Sequence, residues 1–215
     1  MLDEWLTEQL GYSVYNSLTP PDSDERSLTC AKVNVDDVRL AHDLLSIGFQ
    51  IIEVNGRFEK FSRYSDLNDI AFAQPEHHQQ LLDVAASCFQ FSRLHRDPLT
   101  SSEADRIKRE WLRNCLDGHR GLEVLVALDK KKPVGFLAVG SNGRGRAVDL
   151  LGVDREHQGK GIGRRLLRGF TTLNNSRWLD AGTSLSNTAA VRLYQSCGFK
   201  LSSASIVLHL HRGLS

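Results

Sequence analysis

Hydrophobic and polar positions along this chain change period several times, and each change predicts an element. Gly11 to Leu18 alternates as a strand, and the polar, proline-bearing TPPDSDERS that follows is a loop. Leu28 to Val35 alternates again. Asp36 or Asp37 can cap a helix running to Leu45 or Ser46, Gly48 ends it, and Phe49 to Phe58 is a second extended stretch. Roughly the first 60 residues therefore predict strand, strand, helix, strand, too small a unit to bury a good core alone.

Ser62 to Asp69, SRYSDLND, is polar and reads as a linker. Beyond it IAFA predicts a short strand, and Leu81, Ala85, Cys88 and Phe89 fall on one face of a helix. FSRLHRDP is read as a loop. A helix from about Ser102 to Leu116 carries Ile107, Trp111 and Cys115 on one stripe, with Ser102 and Asp105 at capping-box spacing. Leu122 to Leu128, Pro133 to Val139 and Ala147 to Val153 are apolar strands joined by the turns DKKK and SNGRGR. A helix Gly161 to Leu173, a strand Trp178 to Ala181, a helix Asn187 to Ser196 and a strand Phe199 to Leu210 complete the order. The pattern predicts two parts, residues 1–67 and 68–215.

The parts share a weak repeat. Aligning Gly48-Phe49 with Gly198-Phe199 superposes VRLAHDLLSIGFQIIEVNGRFEK on TAAVRLYQSCGFKLSSASIVLHL, helix on helix and strand on strand, with Leu44 opposite Tyr194. Any helix followed by Gly-Phe and a strand would align comparably. The first part has no glycine-rich turn, so the second alone is equipped for anion binding.

Composition narrows the function classes. Twenty-seven basic residues against 26 acidic leave a net charge of +1, so no global field draws the chain to nucleic acid or to an anionic membrane. The start MLDEWLTEQLGY is acidic where a signal peptide would be basic, and no apolar run is long enough for a bilayer, so a cytoplasmic location is expected. Cys30, Cys88, Cys115 and Cys197 are far apart and form no CxxC pair; neither a disulfide framework nor a metal site is expected.

The chemistry concentrates in two stretches. Leu150 to Leu167, LLGVDREHQGKGIGRRLL, is an apolar strand, a glycine-rich turn and an amphipathic helix. A helix start preceded by glycines offers unpaired amides and the positive end of the macrodipole to a phosphate, here from Gln158, Gly159, Lys160, Gly161, Ile162, Gly163 and Arg164. A Walker loop would need Gly-Lys-Ser/Thr after the turn, and a dinucleotide fold a GxGxxG at the start of a βαβ unit; neither is met. The second stretch, Asn187 to Phe199, puts Asn187, Ala190 and Tyr194 on one helical face.

Gln158, Gly161 and Gly163 fit [QR]-x-x-G-x-[GA], and Asn187, Ala190 and Tyr194 fit N-x-x-A-x-x-x-Y. On these residues the chain resembles the GNAT superfamily of N-acetyltransferases over roughly residues 68 to 215. The resemblance implies an α/β (α+β) acyl-CoA N-acyltransferase fold: a mixed central sheet flanked by helices, here extended by a small N-terminal half-domain that lacks the CoA motif. It implies acetyl-CoA as co-substrate and no metal. Backbone groups of Leu151 and Val153 would pair with the pantetheine arm like an added strand, and Asn187 would touch that arm. Tyr194 would be the general acid, since a phenol with a pKa near 10 is still protonated at neutral pH and can deliver its proton as the thiolate departs; otherwise it is a core aromatic. Asp149 is the nearest carboxylate to serve as base, or it is solvated and structural.

For the acceptor, a primary amine on a small molecule is expected. The Ser92-Arg93 pair and the Trp111 to Asn114 stretch resemble family members that acetylate a dTDP-linked amino sugar, the dTDP-fucosamine type. A nucleotide-linked sugar would want cations at the acceptor mouth, and Arg93, His95 and Arg96 are the candidates, unless they form an ordinary solvated loop. A protein lysine or N-terminal acetyltransferase and a non-catalytic acyl-CoA-binding module are the alternatives. No nucleic-acid or membrane partner is expected, and a homodimer is one assembly open to the chain.

Overall fold

The computed structural model describes residues 1–22, 25–61, 71–120, 123–172 and 178–213. The segment read as a linker, 62–69, lies outside the described residues. The elements are α1 (Glu4–Leu10), β1 (Ser13–Asn16), β2 (Ser27–Asn34), α2 (Val38–Ser46), β3 (Gln50–Phe61), β4 (Ala71–Phe72), α3 (His78–Cys88), α4 (Arg93–Arg96), α5 (Ala104–Leu116), β5 (Glu123–Asp129), β6 (Lys132–Ser141), β7 (Arg146–Val153), α6 (Ile162–Thr172), β8 (Trp178–Ser184), α7 (Thr188–Ser196) and β9 (Lys200–Arg212). None of the described helices is long and apolar enough to cross a membrane. The mixed sheet flanked by helices is the fold class that the sequence predicts.

Three local expectations are corrected. Helix α1 stands where the pattern shows no element; Asp3 caps it by accepting from the Leu6 amide, and Gly11 closes it at φ 74°. FSRLHRDP is partly helical, because Ser92 opens the short turn α4. The Ser102/Asp105 capping box is not made: a 3₁₀ turn over Ser101–Glu103 precedes α5, and Asp105 instead faces His95.

The strands form one sheet in the order β1-β2-β9-β3-β8-β7-β6-β5-β4. Strand β3 lies between β8 and β9, so residues 1–61 supply an interior strand to the larger part. The repeat explains this order. Asn34 faces Ser205 across β2 and β9, and 150 residues on from Asn34, Ser184 faces Asn55 across β8 and β3. Val35 N–H bonds to Ala204 O, and Leu185 N–H to Val54 O, again 150 apart. Asp37 caps α2 as Asn187 caps α7, and Gly48 (φ 100°) and Gly198 (φ 83°) end those helices alike. Each copy thus hands its last strand to the other, and β3 and β9 pair about a pseudo-twofold axis. Both carry a bulge there, at Ile52 between Ile51 and Glu53 and at Ser202 between Leu201 and Ser203.

Arg57 ties the exchanged strand down by a bidentate pair with buried Asp180 on β8, Nε to Oδ1 and Nη2 to Oδ2 both at 2.8 Å. Below the sheet, α6 and α7 pack Leu166, Leu167, Phe170 and Tyr194 against Phe58, Leu137 and Leu179. Above it, α3 and α5 pack Leu81, Ala85 and Leu112 against Phe136 and Leu150.

Candidate active site

Parallel strands β7 and β8 stay paired only from Arg146–Val148 against Leu179–Ala181. Beyond that, β7 follows β6 and β8 follows β3, and the two part. The parting opens a cavity of about 390 Å³ whose wall includes Asp149, Leu151, Ser184, Asn187, Leu193 and Tyr194. Asp154 N–H bonds to Val134 O, and Gly152 stands opposite Phe136. Alternation along an antiparallel ladder therefore turns the backbone groups of Leu151 and Val153 toward the gap. The Val153 carbonyl already accepts from Gln158 Nε2 at 3.1 Å.

The turn after β7 is stiffened before the glycines begin. Asp154 accepts from Glu156 N–H at 3.0 Å and lies 2.9 Å from His157 Nδ1. Gly159 (φ 76°) and Gly161 (φ 78°) then reverse the chain in left-handed conformations that side chains rarely adopt. A β-carbon at either would meet nothing within 4 Å, so it is conformation, not space, that calls for glycine there. Gly163 is different: its β-carbon would lie 2.9 Å from Leu193 Cδ2, so this glycine lets α6 approach α7. The first bond into α6 runs from Arg165 N–H to Gly161 O at 3.0 Å. The amides of Ile162, Gly163 and Arg164 precede the ladder and point, with the dipole, out of the helix start. Ile162 is buried in the core, whereas Lys160 and Arg164 are exposed.

Tyr194 is 5% exposed, with its ring against Phe58 and Phe199 at centroid distances of 5.5 and 5.9 Å. Burial pushes its phenol well above the ordinary tyrosine pKa, which keeps the proton on at neutral pH. Asn187 spends its Oδ1 on the helix start, accepting from Ala190 N–H at 3.1 Å, while lining the cavity.

The acceptor side departs from the sequence expectation. Arg93 lines the cavity. His95 does not; it is held between Ser92 Oγ at 2.7 Å and Asp105 at 2.8 Å. Arg96 is tied to Ser186 Oγ at 2.6 Å, pinning α4 to the turn before α7. Asp149 lines the cavity, but its Oδ2 accepts from Trp111 Nε1 at 2.8 Å and lies 3.5 Å from Arg120 Nε. These contacts hold Oδ2 against the tryptophan wall.

Residues that the sequence reading passes over complete the wall: Lys32, Glu53, Asn55 and Lys108. Glu53 is 7% exposed; Oε1 accepts from Asn55 Nδ2 at 3.3 Å and Oε2 has no partner. Lys108 is 9% exposed and lies over Trp111 at 4.5 Å and Phe89 at 5.3 Å. Burial lowers its pKa to about 8, helped by Arg93 and opposed by Asp149 and Glu53. A signal for Lys108 exists in the sequence: it interrupts the buried stripe of α5 between Ala104 and Leu112. Glu53 carries none, because the bulge at Ile52 resets which residues of β3 face inward.

A second histidine-carboxylate cluster braces α4. Buried Asp97, just after it, meets His209 Nδ1 at 2.5 Å and His211 Nε2 at 2.7 Å on β9. Burial would raise the Asp97 carboxyl, yet these bonds and the Leu99 amide hold it well below the usual carboxylate range.

Residues 120–201 match the model of an acetyltransferase (GNAT) domain. The spore coat polysaccharide biosynthesis protein SpsD of Bacillus subtilis is 30% identical over 144 residues, 65% of this chain and 50% of SpsD. The N-acetylaspartate synthetase of Xenopus tropicalis is 38% identical over 81 residues, 35% of this chain and 30% of the synthetase. The chain thus spans half or less of these relatives. The solved structure of a GCN5-related N-acetyltransferase from Sphaerobacter thermophilus aligns over 97% of this chain and 65% of its own, with a TM-score of 0.60 at 13% identity, which is likeness of fold.

Proposed function

We propose that this chain, whose residues 120–201 match a GNAT acetyltransferase domain, transfers the acetyl group of acetyl-CoA to the primary amine of a small acceptor, a nucleotide-linked amino sugar. The observation that carries this reading is the parting of β7 from β8 beyond Val148, with the glycine turn at its far end and Tyr194 in its wall. In this reading the amides from Gly159 to Arg164 hold the coenzyme's diphosphate, with Lys160 and Arg164 adding exposed positive charge. Leu151 and Val153 offer backbone groups to the pantetheine arm, and Asn187 borders it.

Tyr194 gives its proton to the departing sulfur. The phenol is protonated at neutral pH, so the proton is present when the thiolate departs, although burial makes it a weaker acid than free tyrosine. Residues 1–67 act as a truncated copy that has no donor turn and completes the working half by lending β3. The name of SpsD, a polysaccharide biosynthesis protein, supports a sugar acceptor, and Arg93 supports a phosphate on it. The purified chain of residues 1–215 with acetyl-CoA should release free thiol when a nucleotide-linked amino sugar is added. A thiol signal that no amine stimulates would reject the reading.

A further inference from the structure

We propose that Glu53 binds the acceptor's ammonium and takes its proton, while Arg93, Lys108 and the rim residue Lys32 seat an anionic group on the same acceptor. The inference rests on the acetyltransferase reading above and names the chemistry its acceptor must carry.

The cavity holds charges of both signs that have no ion-pair partner. Glu53 Oε2 is buried with no partner, which is costly for a carboxylate unless a donor arrives. Among the described residues, no carboxylate lies within ion-pairing distance of Lys32, Arg93 or Lys108, and none of their side chains donates a hydrogen bond. Lys108 has been taken almost wholly out of water to reach this wall. A buried ammonium and a buried carboxylate that face one cavity without meeting form a seat for a molecule that carries both charges. Lys32 and Arg93 also line a second cavity of about 490 Å³, with Asn16, Ser17 and Leu18, so the anionic part has room to extend beyond the reacting end.

The strand exchange explains how Glu53 comes to be there. It belongs to the copy with no donor turn, yet β3 sits beside β8, and the bulge at Ile52 turns Glu53 toward the cavity of the other copy. Its counterpart 150 residues on, Ser203, is exposed and serves no donor turn. Asp149, the carboxylate on β7, has its Oδ2 engaged by Trp111 and Arg120, whereas Glu53 holds a buried oxygen with no partner at all.

The ammonium gives one proton to Glu53, the freed lone pair bonds to the thioester carbon, and the C–S bond breaks with its electron pair on sulfur. Sulfur takes the proton of the Tyr194 phenol, and as the amide forms nitrogen passes its second proton through water to the phenolate, which restores Tyr194. Glu53 then releases its proton to water.

The anion could be carboxylate or phosphate, and three amines separate the sources: L-aspartate, a nucleotide-diphosphate-linked amino sugar, and the free amino sugar. Thiol release should be at least about tenfold faster in kcat/KM with one of the two anionic amines than with the free sugar, and the faster arm identifies the anion. Arg93→Met and Lys108→Met should raise KM for that amine about 10-fold while leaving the affinity for acetyl-CoA unchanged. Glu53→Gln, of the same shape, should lower kcat about 10²-fold with acetyl-CoA binding intact, and Glu53→Asp should recover part of it. Equal rates with all three amines, or a Glu53→Gln enzyme of normal kcat, would overturn the inference and leave acetyl transfer standing. No release with any amine would overturn both, and acetyl-CoA binding measured alongside would show whether the donor site survives.

Discussion

Replacing Lys108 by methionine should make the protein more stable. Lys108 is lowered from 10.5 to about 8, which at about 1.4 kcal/mol per tenfold is a burial penalty of roughly 3 kcal/mol at neutral pH. The contacts of its ammonium with Trp111 and Phe89 offset about 0.5–2 kcal/mol of this. Methionine keeps the packed stem and removes the charge, for a net gain of about 1–2 kcal/mol. For a chain of this length that raises Tm by roughly 2–8 °C.

The pH dependence supplies a second check on the same substitution. Because the folded-state pKa lies below the unfolded one, the penalty is complete below pH 8, and the wild-type protein regains stability as pH rises toward 10.5. Urea melts of both proteins at pH 7 and at pH 9.5 would measure the gap, which should narrow at the higher pH. A Lys108→Met protein less stable than wild type at pH 7, or a gap indifferent to pH, would refute the claim that this lysine is held in the cavity at a cost.

Tyr194→Phe should lower kcat by about 10²–10⁴ in the thiol-release assay; the hydroxyl has no protein partner among the described residues and the ring contacts remain, so Tm should stay within about 2 °C. Residues 68–215 expressed alone should fail to give a soluble folded protein, because losing β3 strips the facing edges of both β8 and β9, and co-expression with residues 1–67 should restore solubility. Asp97→Ala should cost about 2–4 kcal/mol in chemical melts by orphaning two imidazoles. The wild-type protein, whose Asp97 carboxyl is depressed, should lose stability as pH falls below about 4, and the variant should lose less there.

The turn and helix proposed for the donor side were legible in the sequence because they are built from local rules. A strand, two glycines at left-handed positions and a helix start occupy consecutive residues, and Asn187 to Tyr194 repeat at helical spacing. The wall proposed for the acceptor was not legible, because it is assembled across the pseudo-twofold axis. Glu53 reaches the cavity through a strand exchange and a bulge, neither of which has a local signature. Two of the three cations chosen for that side, His95 and Arg96, turned out to brace α4, whereas Lys108, lodged in an apolar stripe, faces the cavity. The repeat at Gly48 and Gly198 was visible as a weak alignment; its consequence, that each copy completes the other, follows only from the register.

The central claim is that the turn from Gly159 to Arg164 holds the diphosphate of coenzyme A. Calorimetric titration of the protein with acetyl-CoA tests it most directly, run beside Gly161→Val, which strains the φ of 78° where space is otherwise open. The account predicts saturable one-site binding to wild type, weakened about tenfold or more in the variant by a backbone cost of roughly 1–2 kcal/mol or greater. Absence of binding to the folded wild-type protein, or equal affinity in the two, would contradict it.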